Sequence, residues 1–264
     1  MIKKPKGCND IYGHEAKVWK YVSTVVDSVM EKYNYGYIRT PIFESSELFH
    51  RGVGESTDIV TKETYDFVDR GNRNMTLRPE GTAGVVRSYI ENKMYGDMNP
   101  VKLYYNGTMY RYERPQAGRD RELTQFGMEV LGSDDPMIDA EVISMAVNIY
   151  KMLGLKGITV KINSLGDKES RANYREVLIK YFAPHINDLC EDCRERFDKN
   201  PLRILDCKED KDNEILKNAP TTIDNLNEAS KERFEKALEF LDLLQVKYEV
   251  DPRIVRGLDY YNHT

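Results

Sequence analysis

Two extended runs decide the fold: Lys102-Leu-Tyr-Tyr-Asn-Gly-Thr-Met-Tyr-Arg-Tyr-Glu113 and Leu123-Thr-Gln-Phe-Gly-Met-Glu-Val-Leu131, joined by a charged connection. Tyrosine, valine and leucine dominate both, with a break at Gly107, and they read as an antiparallel pair. Residues two apart share one face of a strand, so Arg111 and Glu113 point the same way. On the returning run Leu123, Gln125, Gly127 and Glu129 share one face, and Thr124, Phe126, Met128 and Val130 share the other. The second face is apolar and packs. The first carries the Arg, Glu, Gln and Glu side chains, a pattern that antiparallel sheets often turn toward water. A site is the alternative, because the absent side chain of Gly127, between Gln125 and Glu129, opens floor space for a ligand. The connection Arg114–Glu122 is too long and too charged for a tight hairpin and reads as a mobile functional loop. Its Arg114, Arg119 and Arg121 carry guanidinium forks suited to phosphate oxygens.

Outward from this pair, Val18, Val22, Val25, Val26, Val29, Met30 and Tyr33 recur at helical spacing, and Asn34-Tyr-Gly36 ends that helix. Tyr37 to Phe43 reads as an extended segment whose Pro41 suits an edge or an interface. A second amphipathic helix places Ile138, Val142, Ile143, Ala146, Val147, Tyr150 and Leu153 on one face, and the alternating Ile158, Val160, Ile162 follows as a strand. Near the end, Phe234, Ala237, Leu238, Leu241 and Leu244 mark another helix leading into strand-like Val246, Tyr248, Val250. The turn Thr76-Leu-Arg-Pro-Glu-Gly-Thr82 precedes a helical Ala83 to Ile90, with Thr82 a candidate N-cap and Glu80 a candidate for holding an ammonium group.

The chain has 264 residues, 39 basic and 44 acidic, for a formal charge of −5; it is 40% hydrophobic and 31% charged. These values suit a folded chain with a sizeable core and exclude collagen-like, membrane-embedded and wholly disordered classes. The basic start is not followed by the apolar stretch of a secretion signal, and nothing approaches a membrane-spanning run, so the expected location is the cytoplasm. Residues 188 to 214 hold ten acidic and six basic side chains and read as a solvated insertion. Of the four cysteines, Cys190, Cys193 and Cys207 crowd into that segment. They fit either zinc, with Asp206, His185 or Cys8 as fourth ligand, or free thiols; the lack of a clean second pair favours thiols. Neither Gly-x-Gly-x-x-Gly nor the P-loop pattern occurs, so a nucleotide would be held by side chains.

Four motifs carry a resemblance: Thr76-Leu-Arg-Pro-Glu-Gly-Thr82; Tyr110-Arg-Tyr-Glu-Arg-Pro-Gln116 with Gly118-Arg119; Gln125-Phe-Gly-Met-Glu129; and Arg256-Gly-Leu-Asp-Tyr-Tyr261. In this order and spacing they closely resemble the motifs of the histidyl-tRNA synthetase family. The resemblance runs over the whole chain, from Gly7-Cys-Asn-Asp-Ile11 onward, but covers only the N-terminal part of that family's length.

It implies an α+β fold, a class II aminoacyl-tRNA synthetase-like antiparallel sheet flanked by helices, with an inserted mainly helical segment. The expected division is a catalytic core over 1–166, an insertion over 167–245, and a return to the core over 246–264. The implied activity is a ligase that joins histidine to tRNA(His) through histidyl-adenylate, with ATP as substrate, Mg²⁺ accompanying it, and a homodimer formed through the first helix and the Pro41 segment. By the same resemblance Arg111 and Arg256 are catalytic and hold the α-phosphate. Glu113, Arg119 and Leu123, with Arg111, bind ATP. Glu80, Thr82, Gln125, Glu129, Tyr260 and Tyr261 bind histidine.

Two departures accompany the likeness. Leu123 stands where the family usually has an aromatic residue to stack on adenine. The chain also ends at Asn262-His-Thr264, ahead of the family's third motif and its anticodon-binding domain, so a fragment of a longer enzyme is expected. A non-catalytic histidine-sensing relative, the regulatory subunit of ATP phosphoribosyltransferase, is the alternative reading, and a zinc-dependent RNA-binding module is a third.

Overall fold

The computed structural model describes residues 1–53, 63–96, 99–255 and 261–264. The chain divides into two compact units: residues 1–134 with 145–156, and residues 135–144 with 157–264.

The first unit begins with helix α1 (Gly13–Lys32). Its Val25, Val26, Val29 and Met30 are buried, whereas Val18, at the start of the expected stripe, is 46% exposed. Only the second half of the helix faces the core. The helix stops because Asn34 adopts the left-handed region (φ 62°), which lets the Tyr35 N–H reach back to the Met30 carbonyl at 2.9 Å. Strand β1 (Gly36–Tyr37) follows directly; Pro41 lies outside any strand, and the chain becomes extended again at β2 (Phe43–Ser45).

After helix α2 (Ser46–Val53), strands β3 (Tyr65–Val68) and β4 (Asn74–Leu77) form a small antiparallel sheet in the order β2-β4-β3. Helix α3 (Thr82–Glu91) leads to the central hairpin, β5 (Val101–Tyr110) and β6 (Glu122–Leu131), and β1 joins β5 in parallel. Strand β5 runs unbroken through Gly107 and stops at Tyr110, three residues before the expected end. Its register against β6 pairs Leu103 with Glu129, Tyr105 with Gly127 and Gly107 with Gln125.

One face of this hairpin packs as the alternation predicts. Tyr104, Phe126, Met128 and Val130 lie against Val26, Val29 and Met30 of α1 and against Met145 and Ile149 of helix α4 (Pro136–Met152). The opposite face is not left to water. Val85 of α3 covers Tyr105 and Met109, with Leu103, Leu123 and Leu131 packed around them. A sheet covered on both faces gives up the polar/apolar alternation that a half-solvated sheet keeps. Helix α4 departs from its expected stripe for a related reason: it is buried on several sides, at Ala140, Met145, Val147 and Ile149, while Tyr150 is exposed.

In the second unit, β7 (Val160–Ile162) pairs in parallel with β8 (Tyr248–Val250), and Lys161 is ion-paired to Asp251 at 2.9 Å. Between these strands lie helices α5 (Lys168–Phe182), α6 (Glu191–Lys199), α7 (Glu214–Lys217) and α8 (Glu228–Leu243), linked by short 3₁₀ turns. The acidic segment 188–214 is not merely a solvated excursion. Its Leu189, Cys193, Ile204 and Cys207 join Tyr174, Leu178 and Phe182 in a buried cluster. Helix α8 buries Phe234, Ala237 and Leu241 as expected, while Leu244 caps its end in solvent. Among the described residues no helix is long and apolar enough to cross a membrane. Helices and antiparallel sheet in separate segments place the chain in the α+β class.

The uneven burial of α1 has a measurable consequence. Replacing the fully buried Met30 by alanine is expected to cost about 2–5 kcal/mol in urea denaturation, whereas Val18→Ala, half in solvent, should cost less than about 0.5 kcal/mol.

Candidate functional site

The turn Thr76–Thr82 is anchored before it presents anything. Arg78 is buried, and its guanidinium donates to the Thr108 carbonyl (2.9 Å) and to the Thr40 carbonyl (2.9 Å). It lies over Gly107, where a Cβ would come 2.7 Å from Nη2. The Tyr110 N–H donates to the Arg78 carbonyl at 2.9 Å, so the turn is fixed to the end of β5. Gly107 is thus a seat for a guanidinium rather than a break in the strand.

Glu80 is buried and closes the start of α3. Its two carboxylate oxygens accept the N–H groups of Thr82 (2.7 Å) and Ala83 (2.8 Å). Thr82 is therefore the first helical residue and not the N-cap; Gly81 holds that place without a side chain, and the neighbouring carboxylate supplies the missing acceptors. With its backbone N–H taken by Glu80, Thr82 aims its hydroxyl elsewhere, donating to Glu129 Oε1 at 2.7 Å.

Glu129 stands on β6 opposite Leu103. Burial, opposed by the Thr82 hydrogen bond and reinforced by the nearby charge of Glu80, pushes its carboxyl up to about 7. Gln125 lies on the same face four residues earlier, and its Oε1 is buried without a hydrogen-bond partner among the described residues. A buried, unpaired amide oxygen is costly unless a ligand donor completes it.

Gly127 does not open floor space as its sequence position suggested. A Cβ there would lie 2.3 Å from Tyr105 Oη and 2.4 Å from Tyr105 Cζ. A Cβ on Gly81 would meet the same ring at 2.2 Å. The phenol ring of Tyr105 fills the space left by both glycines and joins the turn to the sheet. Tyr105 and Arg78 are the positioning residues that the sequence reading missed. The pairing of a glycine with a bulky residue directly across the hairpin was the available signal for the first; for the second, nothing local in Thr76–Thr82 marked Arg78 as buried.

Beyond Tyr110 the alternation ends. The Glu113 N–H donates back to the Arg111 carbonyl at 2.8 Å in a tight turn, so the two residues no longer follow strand geometry. Arg111 Nε donates to the Pro79 carbonyl at 2.9 Å, which ties it to the Thr76–Thr82 turn. Glu113 is paired with Arg119 at 3.2 Å, and Arg121 Nε donates to the Glu113 carbonyl at 3.1 Å while stacking over Tyr112. The loop expected to be mobile is closed at its tip by paired hydrogen bonds between Gln116 and Arg119, with Gly118 at φ 78°. Its base is clasped by Gly7, whose carbonyl accepts the Arg121 and Glu122 N–H groups at 2.8 and 3.1 Å. Leu123 packs in the apolar cluster around Met109. The turn, Arg111, Glu113, Arg119, Gln125 and Glu129 thus all belong to the first unit. Tyr261 belongs to the second, where its carbonyl accepts Arg171 Nη1 at 2.7 Å. Arg256 and Tyr260 lie outside the described residues.

One turn thus anchors the Arg111 guanidinium through Pro79 and reaches the half-buried Glu129 through Thr82, a set able to hold a polar, partly cationic molecule attached to a phosphate.

The model of the family described as histidyl-tRNA synthetase matches residues 7–263. The histidine–tRNA ligase of Anoxybacillus flavithermus is 59% identical over 261 residues, which cover 98% of this chain and 62% of that protein. That of Listeria innocua is 54% identical over 264 residues, covering 100% of this chain and 62% of its own length. Apo histidyl-tRNA synthetase of S. aureus superposes with a TM-score of 0.79 at 46% identity, covering 100% of this chain and 60% of that one. A Bacillus halodurans structure, described as an ATP phosphoribosyltransferase regulatory subunit/histidyl-tRNA synthetase, superposes with a TM-score of 0.71 at 21% identity, a likeness of fold alone. The chain spans about 62% of the length of the curated relatives it matches.

Two outcomes follow from this geometry. Gly127→Ala should destabilise the fold by about 1–3 kcal/mol through overpacking, and a double-mutant cycle with Tyr105→Leu should return a coupling of about 1 kcal/mol or more. The folded chain also holds the Glu129 proton more tightly than the unfolded chain, whose carboxyl titrates near 4.5. This contribution to stability is complete below about pH 4.5 and is lost as pH rises through about 7. In the ligand-free protein Glu129→Gln should therefore flatten the decline in stability across that window by up to about 3 kcal/mol, read from denaturation at a series of pH values.

Proposed function

The chain belongs to the histidyl-tRNA synthetase family, and from that premise we propose that it supplies the histidine-activating part of a histidine–tRNA ligase. The reaction joins histidine to ATP as histidyl-adenylate and passes the aminoacyl group to tRNA(His). The observation that carries this reading is the face of β6: a buried Gln125 oxygen without a hydrogen-bond partner among the described residues, four residues from a Glu129 carboxyl held by Thr82. An imidazole has N–H donors for such a face, and a ligand without them would leave the amide oxygen unpaired, the kind of penalty that gives strong discrimination. Glu80, Thr82, Gln125, Glu129, Tyr260 and Tyr261 are the proposed histidine-binding residues. Glu80 acts through its grip on the start of α3 as well as through its charge.

In the proposed chemistry a histidine carboxylate oxygen attacks the α-phosphorus of ATP as the bond to pyrophosphate breaks. Negative charge grows on the phosphate oxygens, so fixed cations and alignment contribute more than a general base. Arg111 and Arg256 are the proposed catalytic pair. The tie from Arg111 Nε to the Pro79 carbonyl supports the reading, because it restrains the orientation of the guanidinium through an atom other than the outer nitrogens that would meet phosphate. Glu113, Arg119 and Leu123 are assigned to ATP, the first two through their ion pair at the loop. Mg²⁺ enters with ATP as part of the substrate.

We further propose that residues 167–245 are an inserted domain mounted on the β7–β8 pair, which brackets them in sequence, and that the protein works as a cytoplasmic homodimer. The dimer reading is supported by an apolar edge near Pro41, where Phe43 and Phe67 meet edge to face at 6.1 Å although they are 53% and 41% exposed.

Calorimetric titration with histidine and with a non-hydrolysable histidyl-adenylate analogue tests the assignment, with seryl, prolyl and threonyl analogues as controls. Gln125→Ala is expected to weaken histidine by about 10- to 100-fold. Arg111→Ala should weaken the adenylate analogue by a similar factor and leave free histidine nearly unchanged. Preference for a different aminoacyl analogue sinks the reading. Histidine binding with no gain from the adenylate moiety favours the histidine sensor instead.

A further inference from the structure

The second unit holds a cluster unrelated to the proposed ligase site. Cys190, Cys193, Cys207 and Asp210 bring their four candidate ligand atoms within 4.8 Å of one another. We propose that these residues form a structural Zn²⁺ site with three thiolate ligands and one carboxylate.

The spacing is the first support. Cys190-x₂-Cys193 is followed, after thirteen residues, by Cys207-x₂-Asp210. The second pair that the cysteines alone lack is present, with the carboxylate of Asp210 in place of the last thiol. The fold chooses Asp210 over Asp206, His185 and Cys8, which are not in the group.

Geometry is the second. The Cys190 and Cys207 sulfurs are 3.6 Å apart, too far for a disulfide and close to the roughly 3.8 Å edge of a tetrahedron with Zn–S bonds of about 2.3 Å. The outer shell is also in place. Asp210 N–H donates to Cys207 Sγ at 3.4 Å, and Asp210 Oδ2 accepts the Cys190 N–H at 2.9 Å, orienting both members of the second pair toward the first. Three soft sulfur donors and one oxygen in a compact group select zinc over the hard cations.

The third support is need. Between α5 and α8 the chain has only α6, the four-residue α7 and 3₁₀ turns, with no strand pairing among the described residues. Cys193 and Cys207 are buried in the small core that these pieces share with Leu178 and Phe182. A metal linking residues 190–193 to 207–210 would fasten segments whose own backbone hydrogen bonds are local, such as the Arg194 N–H to the Cys190 carbonyl and the Cys207 N–H to the Ile204 carbonyl.

The test uses untagged protein from cells grown with added zinc. Elemental analysis should find about one zinc per chain that survives dialysis. A thiol reagent should modify Cys8 at once and the other three cysteines only after a chelator removes the metal. Titration of the metal-free protein with Co²⁺ should give the absorption of a tetrahedral thiolate site, and added Zn²⁺ should displace it. Asp210→Asn should weaken zinc at least about tenfold against a chromogenic chelator, Cys207→Ser should abolish the cobalt spectrum, and Cys8→Ser should change neither. Circular dichroism controls for unfolding of Cys207→Ser, and the Co²⁺ titration of the unaltered chain does not depend on any variant. Zinc-free protein whose four thiols react without chelator, joined with no cobalt spectrum, overturns the proposal. So does a Cys190–Cys207 disulfide in protein prepared under reducing conditions.

Discussion

One phenol ring holds the first unit's site together. Tyr105 occupies space that exists only because residues 81 and 127 have no side chains, one in the turn before α3 and the other across the hairpin on β6. Interiors are packed closely enough that a single methyl at either position meets the ring at less than van der Waals distance. The ring therefore fixes the distance between turn and sheet. The contact from Thr82 to Glu129 depends on that distance, and the tie from Arg111 to Pro79 draws on the same anchored turn.

The electrostatics follow from this packing. Glu80 satisfies the N–H groups at the start of α3 and adds negative charge near Glu129. Glu129 is thereby left in a desolvated place with one hydroxyl donor and a like charge nearby, which raises its affinity for a proton or for a cationic partner. The Gln125 oxygen on the same face, without a partner among the described residues, has the same character: its burial carries a cost that a donor relieves. Arg78, Tyr105 and Glu80 act on this face through the backbone they hold, which is why their importance cannot be read from chemistry alone.

The second unit solves a different problem. Its core is assembled from short pieces at 183–225, and hydrophobic burial at Leu189, Ile204 and Leu216 is spread over chain that has little regular structure of its own. In such a segment a cross-link that joins distant residues restrains far more conformational freedom than another local hydrogen bond does. The convergence of Cys190, Cys193, Cys207 and Asp210 falls where that restraint is most useful.

The sequence by itself determined the hairpin, its apolar face, the helices α1, α4 and α8 and the family, because these rest on periodicity and on motifs that are local in the chain. The resemblance also named Glu80, Thr82, Gln125 and Glu129 together, as residues proposed to bind histidine. Only the tertiary structure decided that Gly127 houses Tyr105 rather than a ligand, that Thr82 begins its helix and turns its hydroxyl to Glu129, that the arginine loop is closed by a tight turn, and that Asp210 completes the cysteine cluster. Each of these is a contact between residues far apart in sequence, except for the loop and the helix start, where local alternatives of similar energy were resolved by a neighbour: Gly7 clasping the loop base, and Glu80 supplying the acceptors that Gly81 lacks. Pattern fixes which face a side chain shares; what lies against that face depends on the close packing of elements whose separation the sequence does not encode locally.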